Sequence, residues 1–135
     1  MADLKTPYDR IGGAPAVRAL VDRFYTLMHE LPEAQTIRAM HPTVLNSSRE
    51  KLYEFLSGWL GGPPLYVERR GHPRLRMRHM PFAIDDAASN AWMLCMMKAL
   101  DDCVEDALLK EHLRGAFQRM AHHLRNTGEF ERPED

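Results

Sequence analysis

Between Gly71 and Phe82 the chain reads GHPRLRMRHMPF, a stretch in which two histidines and three arginines interleave with Leu75 and Met77, bounded by Pro73 and Pro81. His79 is the residue here with the widest chemistry, because imidazole serves as base, acid or metal ligand near neutral pH. Its direction follows from spacing in either backbone state. As a strand, Leu75, Met77 and His79 share one face and the arginines take the other. As a short helix opening with Pro73 at its first position, Leu75 and His79 stack at i, i+4. Both place His79 among the apolar side chains and Arg78 toward the rim. Pro81 removes a backbone donor just beyond the ring and ends any helix. Flanking arginines suit a ligand with an apolar body and a carboxylate edge.

A lone inward histidine is more often a hydrogen-bonded core residue than a ligand. Other inward polar side chains change that balance. Tyr25 borders the Phe24/Met28 face, Ser48 lies one turn before Leu52, and Trp92 centres an apolar stripe. A buried Tyr or Trp needs a partner for its O–H or N–H. Together these groups could surround one polar ligand in an apolar cavity.

Helices must position them. After YDRIGG, the residues Val17, Leu20, Val21, Phe24, Leu27, Met28 and Leu31 recur at helical spacing, with Gly12 and Gly13 permitting a turn before them and Pro32 ending the run. A short segment reaches Met40 and is broken by His41 and Pro42. Asn46 or Ser47 can cap a second helix carrying Leu52, Phe55, Leu56, Trp59 and Leu60, which ends at GGPP, Gly61 to Pro64. A third long helix starts near Asp85 with Ala88, Trp92, Cys95, Met96, Ala99 and Cys103 on one face. A fourth carries Leu109, Leu113, Phe117, Met120, Ala121 and Leu124 and stops before Asn126–Gly128. The reading is all-α, with an irregular connection from Gly61 to about Ile84; connections of that length are usually functional.

The 135 residues suit one domain, residues 1–135, and the formal net charge of −1 offers no basic field for nucleic acid or an acidic membrane. No apolar run has the length of a membrane span, and the opening residues lack a signal-peptide pattern, so a cytoplasmic protein is expected. Cys95 and Cys103 are too far apart along one helix for a disulfide and read as buried thiols. Most of the nine methionines are expected in the core.

YDRIGG, RFY, FLSGWLGGP, RGHPRLRMRHMPF, AW and AHHL, taken together, resemble the truncated haemoglobins of group II over almost the whole chain. The resemblance implies a two-over-two helical sandwich holding haem b. It makes His79 the proximal iron ligand, Tyr25 the distal tyrosine, and Trp92 the indole whose N–H reaches a bound ligand. Phe24 and Leu52 become pocket walls, and Arg78, Tyr66 and Lys51 approach the propionates. His41 takes a position where relatives carry Tyr, Phe or His, and Ser48 one where other globins often use His or Gln.

The implied function is binding of O2 and other small diatomic ligands with distal hydrogen-bond stabilisation. The alternative is a redox role, NO dioxygenation or peroxide reduction, supplied with electrons by an unidentified reductase. A nucleic-acid module using Arg69, Arg70, Arg74, Arg76 and Arg78 lacks a basic domain with a reading element. A zinc site at His112, His122 and His123 is disfavoured because adjacent helical residues face different ways and no HExxH or CxxC spacing occurs. A globin-like sensor that has lost haem would have no reason to keep His79 with Tyr25 and Trp92.

Overall fold

Apolar periodicity gives no hint of the first helix. In this computed structural model, which describes residues 5–80, 82 and 84–125, α1 spans Pro7–Ile11. Its signal is a capping box: the Asp9 N–H donates to the Thr6 hydroxyl at 3.1 Å, and the Thr6 N–H returns to the Asp9 carboxylate at 3.4 Å. The helix is clasped to the end of the fourth one. The Tyr8 N–H donates to the Leu60 carbonyl at 2.9 Å, and a Cβ at Gly62 would stand 2.4 Å from the Tyr8 ring. Gly61 has φ +96° with Thr6 packed against it, so this glycine pair serves both the turn and the close approach.

The long helix α2, Ala14–Glu30, buries Val17, Leu20, Val21, Phe24, Tyr25, Leu27 and Met28, the face its periodicity assigns. A 3-10 turn, Pro32–Ala34, leads into α3, Gln35–Ala39. Helix α4 spans Asn46–Trp59 and packs Leu56 and Leu60 in the core, with Leu52, Phe55 and Trp59 partly buried against it. The cap expected from Asn46 or Ser47 does not form. Leu45 occupies the cap position without a side-chain bond, and Asn46 is already helical.

Helix α7, Asp86–Cys103, opens under Asp85, whose carboxylate accepts the Ala88 N–H at 2.8 Å. Helix α8, Ala107–His123, buries Leu109, Leu113, Phe117 and Ala121. The pairs α2/α4 and α7/α8 are joined through the broad α2–α7 interface, and this is the two-over-two sandwich. The described residues are helix, turn and loop without a strand, and none of their helices is long and apolar enough to cross a membrane.

The Gly61–Ile84 connection is less irregular than its sequence suggests. It contains α5, Leu65–Arg70, and α6, Leu75–His79. Helices of five or six residues are too short for an apolar stripe to register, and on their own they would not form in water. Pro81, Asn126–Gly128 and the side chain of Arg76 lie outside the described residues.

What holds α5 down is charge. Glu54 on α4 is only 2 % exposed, and its carboxylate accepts Arg70 Nε at 2.5 Å and Arg69 Nη1 at 3.0 Å. The Arg70 hydrogen bond lowers the Glu54 pKa, against a smaller opposing effect of burial. Two of the arginines that could have served a nucleic-acid face are therefore spent within the fold.

Cys95 is buried and Cys103 half-buried, both as free thiols. Burial pushes the Cys95 pKa up to about 11 and raises that of Cys103 as well. Met28, Met93 and Met96 are buried, as expected of core methionines, whereas Met77 and Met80 are exposed.

Because the folded-state pKa of Glu54 is depressed, its contribution to stability is present above the unfolded-state value of about 4.5 and fades as pH falls through the folded value. Glu54→Gln should lower stability at pH 7 and flatten the stability–pH curve below about 4.5. Denaturant unfolding of both proteins across that range measures this; parallel curves would show that the carboxylate is not held as an anion.

Candidate functional site

Helix α6 settles the backbone choice at His79. Pro73 is not its first residue. Arg74 precedes the helix in the left-handed region, φ 49° and ψ 56°, with its N–H donated to His72 Nδ1 at 3.0 Å. Leu75 and His79 then stand one turn apart, both half-buried, while Met77 turns outward, 54 % exposed. The strand reading had grouped Met77 with them.

The His79 ring is oriented by its own helix. Nδ1 lies 2.6 Å from the Leu75 carbonyl. A carbonyl only accepts, so Nδ1 carries the proton, and in the neutral ring the lone pair resides on Nε2. That is the tautomer a metal-ligating histidine needs.

In the main body of the fold, α2, α7 and the loop after α3 bring an aromatic cluster together. The Phe24 ring meets Tyr25 edge-on at 5.0 Å and Trp92 at 5.1 Å. His41, just after α3, meets Tyr25 edge-on at 5.8 Å. Trp92 continues to Phe117 at 5.8 Å, which in turn lies 4.8 Å from Trp59. Burial lowers the His41 pKa. Its bond to the Ile37 carbonyl opposes this, and the charges of Arg38 and His79 add to it. The imidazoles of His41 and His79, 38 residues apart in sequence, are near enough for the charge of one to act on the other. Tyr25 and His41 are thus in ring contact, and His79 is within electrostatic reach of His41.

His41 is oriented in the same way as His79. Its Nδ1 lies 2.8 Å from the Ile37 carbonyl, four residues back. When neutral, it too presents Nε2 as an acceptor. The Tyr25 phenol is raised above its ordinary pKa by burial and stays protonated. It is a donor, as is the Trp92 indole.

The remaining expected positions are more scattered. Leu52 is partly buried against the core, and Ser48 is half-buried in the first turn of α4. Lys51 is exposed. Arg78 is exposed and donates Nε to the Pro73 carbonyl at 2.7 Å. Tyr66 is buried on α5, with the Arg70 guanidinium 6.0 Å from its ring.

Sequence reasoning missed one part of the site. A cavity of about 510 Å³ opens between α4, α6 and the end of α8, walled by Phe55, Leu75, Met120 and Leu124 and shared with His72, Arg74 and His123. Phe55, Met120 and Leu124 were visible only as stripe residues; nothing in their spacing marks the place where three elements stand apart. The chemistry of the set suits haem: an imidazole whose Nδ1–H is committed to a carbonyl, an apolar cavity beside its helix, cationic side chains at that cavity, and the Tyr25 and Trp92 donors on α2 and α7. Groups of His, Cys, Asp and Glu that could hold a metal by themselves are absent among the described residues, which leaves the zinc reading without a site.

A two-over-two helical sandwich with a histidine oriented on the short helix α6 and a Tyr–Phe–Trp cluster on α2 and α7 is the architecture of a truncated globin. Residues 6–126 match the bacterial-like globin family, and the chain belongs to it. It is similar to the group 2 truncated haemoglobin YjbI of Bacillus subtilis, at 38 % identity over 93 % of this chain and 92 % of that one. Among solved structures it resembles the cold-adapted truncated haemoglobin of the Antarctic bacterium Pseudoalteromonas haloplanktis, at 46 % identity and TM-score 0.90, covering 92 % of this chain and all of that one. It also resembles the group II 2-on-2 haemoglobin of Agrobacterium tumefaciens, at 46 % identity and TM-score 0.89, covering 93 % and 97 %. The chain is thus a group II truncated haemoglobin, and its family is one of haem-based binding of small ligands such as O2.

Because burial holds the Tyr25 proton in place, Tyr25→Phe should leave the alkaline phenol titration of the folded protein unchanged. Near-ultraviolet difference absorbance reads this directly; a step below the alkaline unfolding transition that vanishes in the variant would mean the phenol is open to water.

Proposed function

We propose that this chain holds haem b through His79 Nε2 and binds O2 and other small diatomic ligands on the opposite face, with Tyr25 and Trp92 as the stabilising donors. The observation that carries the reading is the His79 Nδ1–H bond to the Leu75 carbonyl, which leaves Nε2 as the ring's only basic nitrogen. When bound, haem supplies an iron atom with one coordination position left for a small ligand. The chain does the rest.

On the histidine side, Phe55, Leu75, Met120 and Leu124 supply apolar contact. Arg78 is the first candidate for a propionate, since its Nη groups remain beyond the Nε bond to Pro73. Lys51 on the exposed surface of α4 and the Tyr66 hydroxyl are further candidates, now joined by Arg74 and His72 at the cavity. Charge-assisted bonds at an exposed rim orient a cofactor more than they retain it.

On the ligand side, Phe24 and Leu52 exclude water, and two donors come from separate helices. Donors fixed in a dry pocket stabilise the negative charge a diatomic ligand acquires there, with no cost of reorientation. His41 is different. With its Nδ1–H committed to Ile37, it is an acceptor when neutral, so its part is to border and orient Tyr25. The Ser48 hydroxyl can act either way.

Two substitutions test the reading. His79→Ala should abolish the wild-type Soret band in a haem titration without added imidazole; an unchanged band and affinity would move the ligand elsewhere. Trp92→Phe should speed O2 release by about tenfold, since a charge-assisted hydrogen bond is worth about 1.5–3 kcal/mol and 1.4 kcal/mol is roughly tenfold in rate. Stopped-flow displacement of O2 by CO measures the rate. An unchanged rate in a folded variant would reduce Trp92 to packing.

A further inference from the structure

The loop after α3 is held by one side chain that the pocket itself does not use. Arg38 Nη1 donates to the Pro42 carbonyl at 2.9 Å and Nη2 to the Thr43 carbonyl at 2.7 Å. Its Nε donates to His29 Nδ1 at 3.3 Å, which ties the fork to the end of α2. Arg38 pairs with no carboxylate among the described residues, so its donors go to the backbone and to His29. Between the carbonyls it grips and the helix it springs from sits His41. The His41 N–H returns to the Arg38 carbonyl at 3.1 Å, and the ring is pinned to Ile37 at 2.8 Å. Its free edge meets the Tyr25 ring.

We infer that Arg38 is a positioning residue for the ligand pocket: its planar fork closes the loop over residues 40–43 and thereby sets His41 against Tyr25. A guanidinium suits the task because two parallel N–H bonds fix both distance and direction, and an ammonium group has no such geometry. Loss of the fork frees a loop that has room to move, since Arg38, Thr43, Leu45 and Arg49 border a cavity of about 280 Å³. His41 would then cease to limit the Tyr25 ring, and a donor that must be reoriented at each binding event stabilises its ligand less. The inference rests on the proposal that Tyr25 faces a haem-bound ligand; the clamp on the two rings stands apart from it.

The test uses Arg38→Ala, Arg38→Lys, His41→Ala and the Arg38→Ala/His41→Ala pair, each loaded with haem, with wild type and His79→Ala as references. O2 release should accelerate about threefold or more in both single alanine variants, and the double variant should be no faster than the faster single, because the two residues act in series. Arg38→Lys should behave like Arg38→Ala, since it keeps the charge and loses the fork. The haem-independent readout is NMR of the Tyr25 and His41 ring signals, which should shift or broaden in both Arg38 variants. Ring signals identical to wild type in Arg38→Ala overturn the clamp, as do fold-changes that multiply in the double variant. If Arg38→Ala fails to fold, Arg38→Lys decides: wild-type signals and rates there also overturn it. A His79→Ala protein that binds haem like wild type while the Arg38 variants still move both rings would instead sink the haem assignment and leave the clamp standing.

Discussion

The bond between His79 Nδ1 and the Leu75 carbonyl is the contact on which the rest of this molecule depends. The helical turn over residues 75–79 brings the Leu75 carbonyl beneath the side chain four residues on. Yet five residues cannot sustain a helix in water. The surroundings must impose it, and they do so in sequence. Glu54 draws Arg69 and Arg70 onto α4 and fixes α5. His72 accepts the Arg74 N–H and turns the chain. Arg78 reaches back to the Pro73 carbonyl across the turn. The arginines that look like a binding surface in the sequence are largely the fastenings of one imidazole.

The two sides of the pocket are built on different principles. The histidine side relies on charged and backbone hydrogen bonds between short elements, with the Glu54 carboxylate buried and its arginine partners nearer the surface. The other side relies on aromatic edges between long helices, Phe24 to Tyr25 and Trp92, with Phe24 and Tyr25 in the principal core and Trp92 packed against it. Such packing is dense and yields little. His41 is the exception, an aromatic ring of this cluster that is set by a loop and by hydrogen bonds.

The four long helices were legible in the sequence because each buries a stripe long enough to repeat. The site was legible in part. His79, Tyr25 and Trp92 stand out as chemically capable residues at inward positions of recognisable elements. His41 could be placed only by resemblance, since a residue beside a proline in a short loop has no face. The two short helices, the cap at Leu45 and the cavity around Phe55 could not be read, because none depends on a repeating pattern. Glu54 is the clearest case: a glutamate among Lys51, Leu52, Tyr53 and Phe55 looks like the solvent edge of a helix, yet it is buried and paired with two arginines on the next element. Partners some fifteen residues away are invisible to local periodicity.

The two thiols give the fold a chemical temperament. Only a thiolate attacks peroxides and disulfides readily, and with its pKa pushed up to about 11 Cys95 is ionised in roughly one molecule in ten thousand at pH 7. Cys103, half-buried against the Ala19 carbonyl, is shifted the same way. Neither sulfur has a charged neighbour strong enough to reverse the effect of burial. A chain of a haem-binding family thus keeps both thiols of α7 in the less reactive protonated state, with burial the largest cause and the charges of Glu33 and Asp102 acting in the same direction.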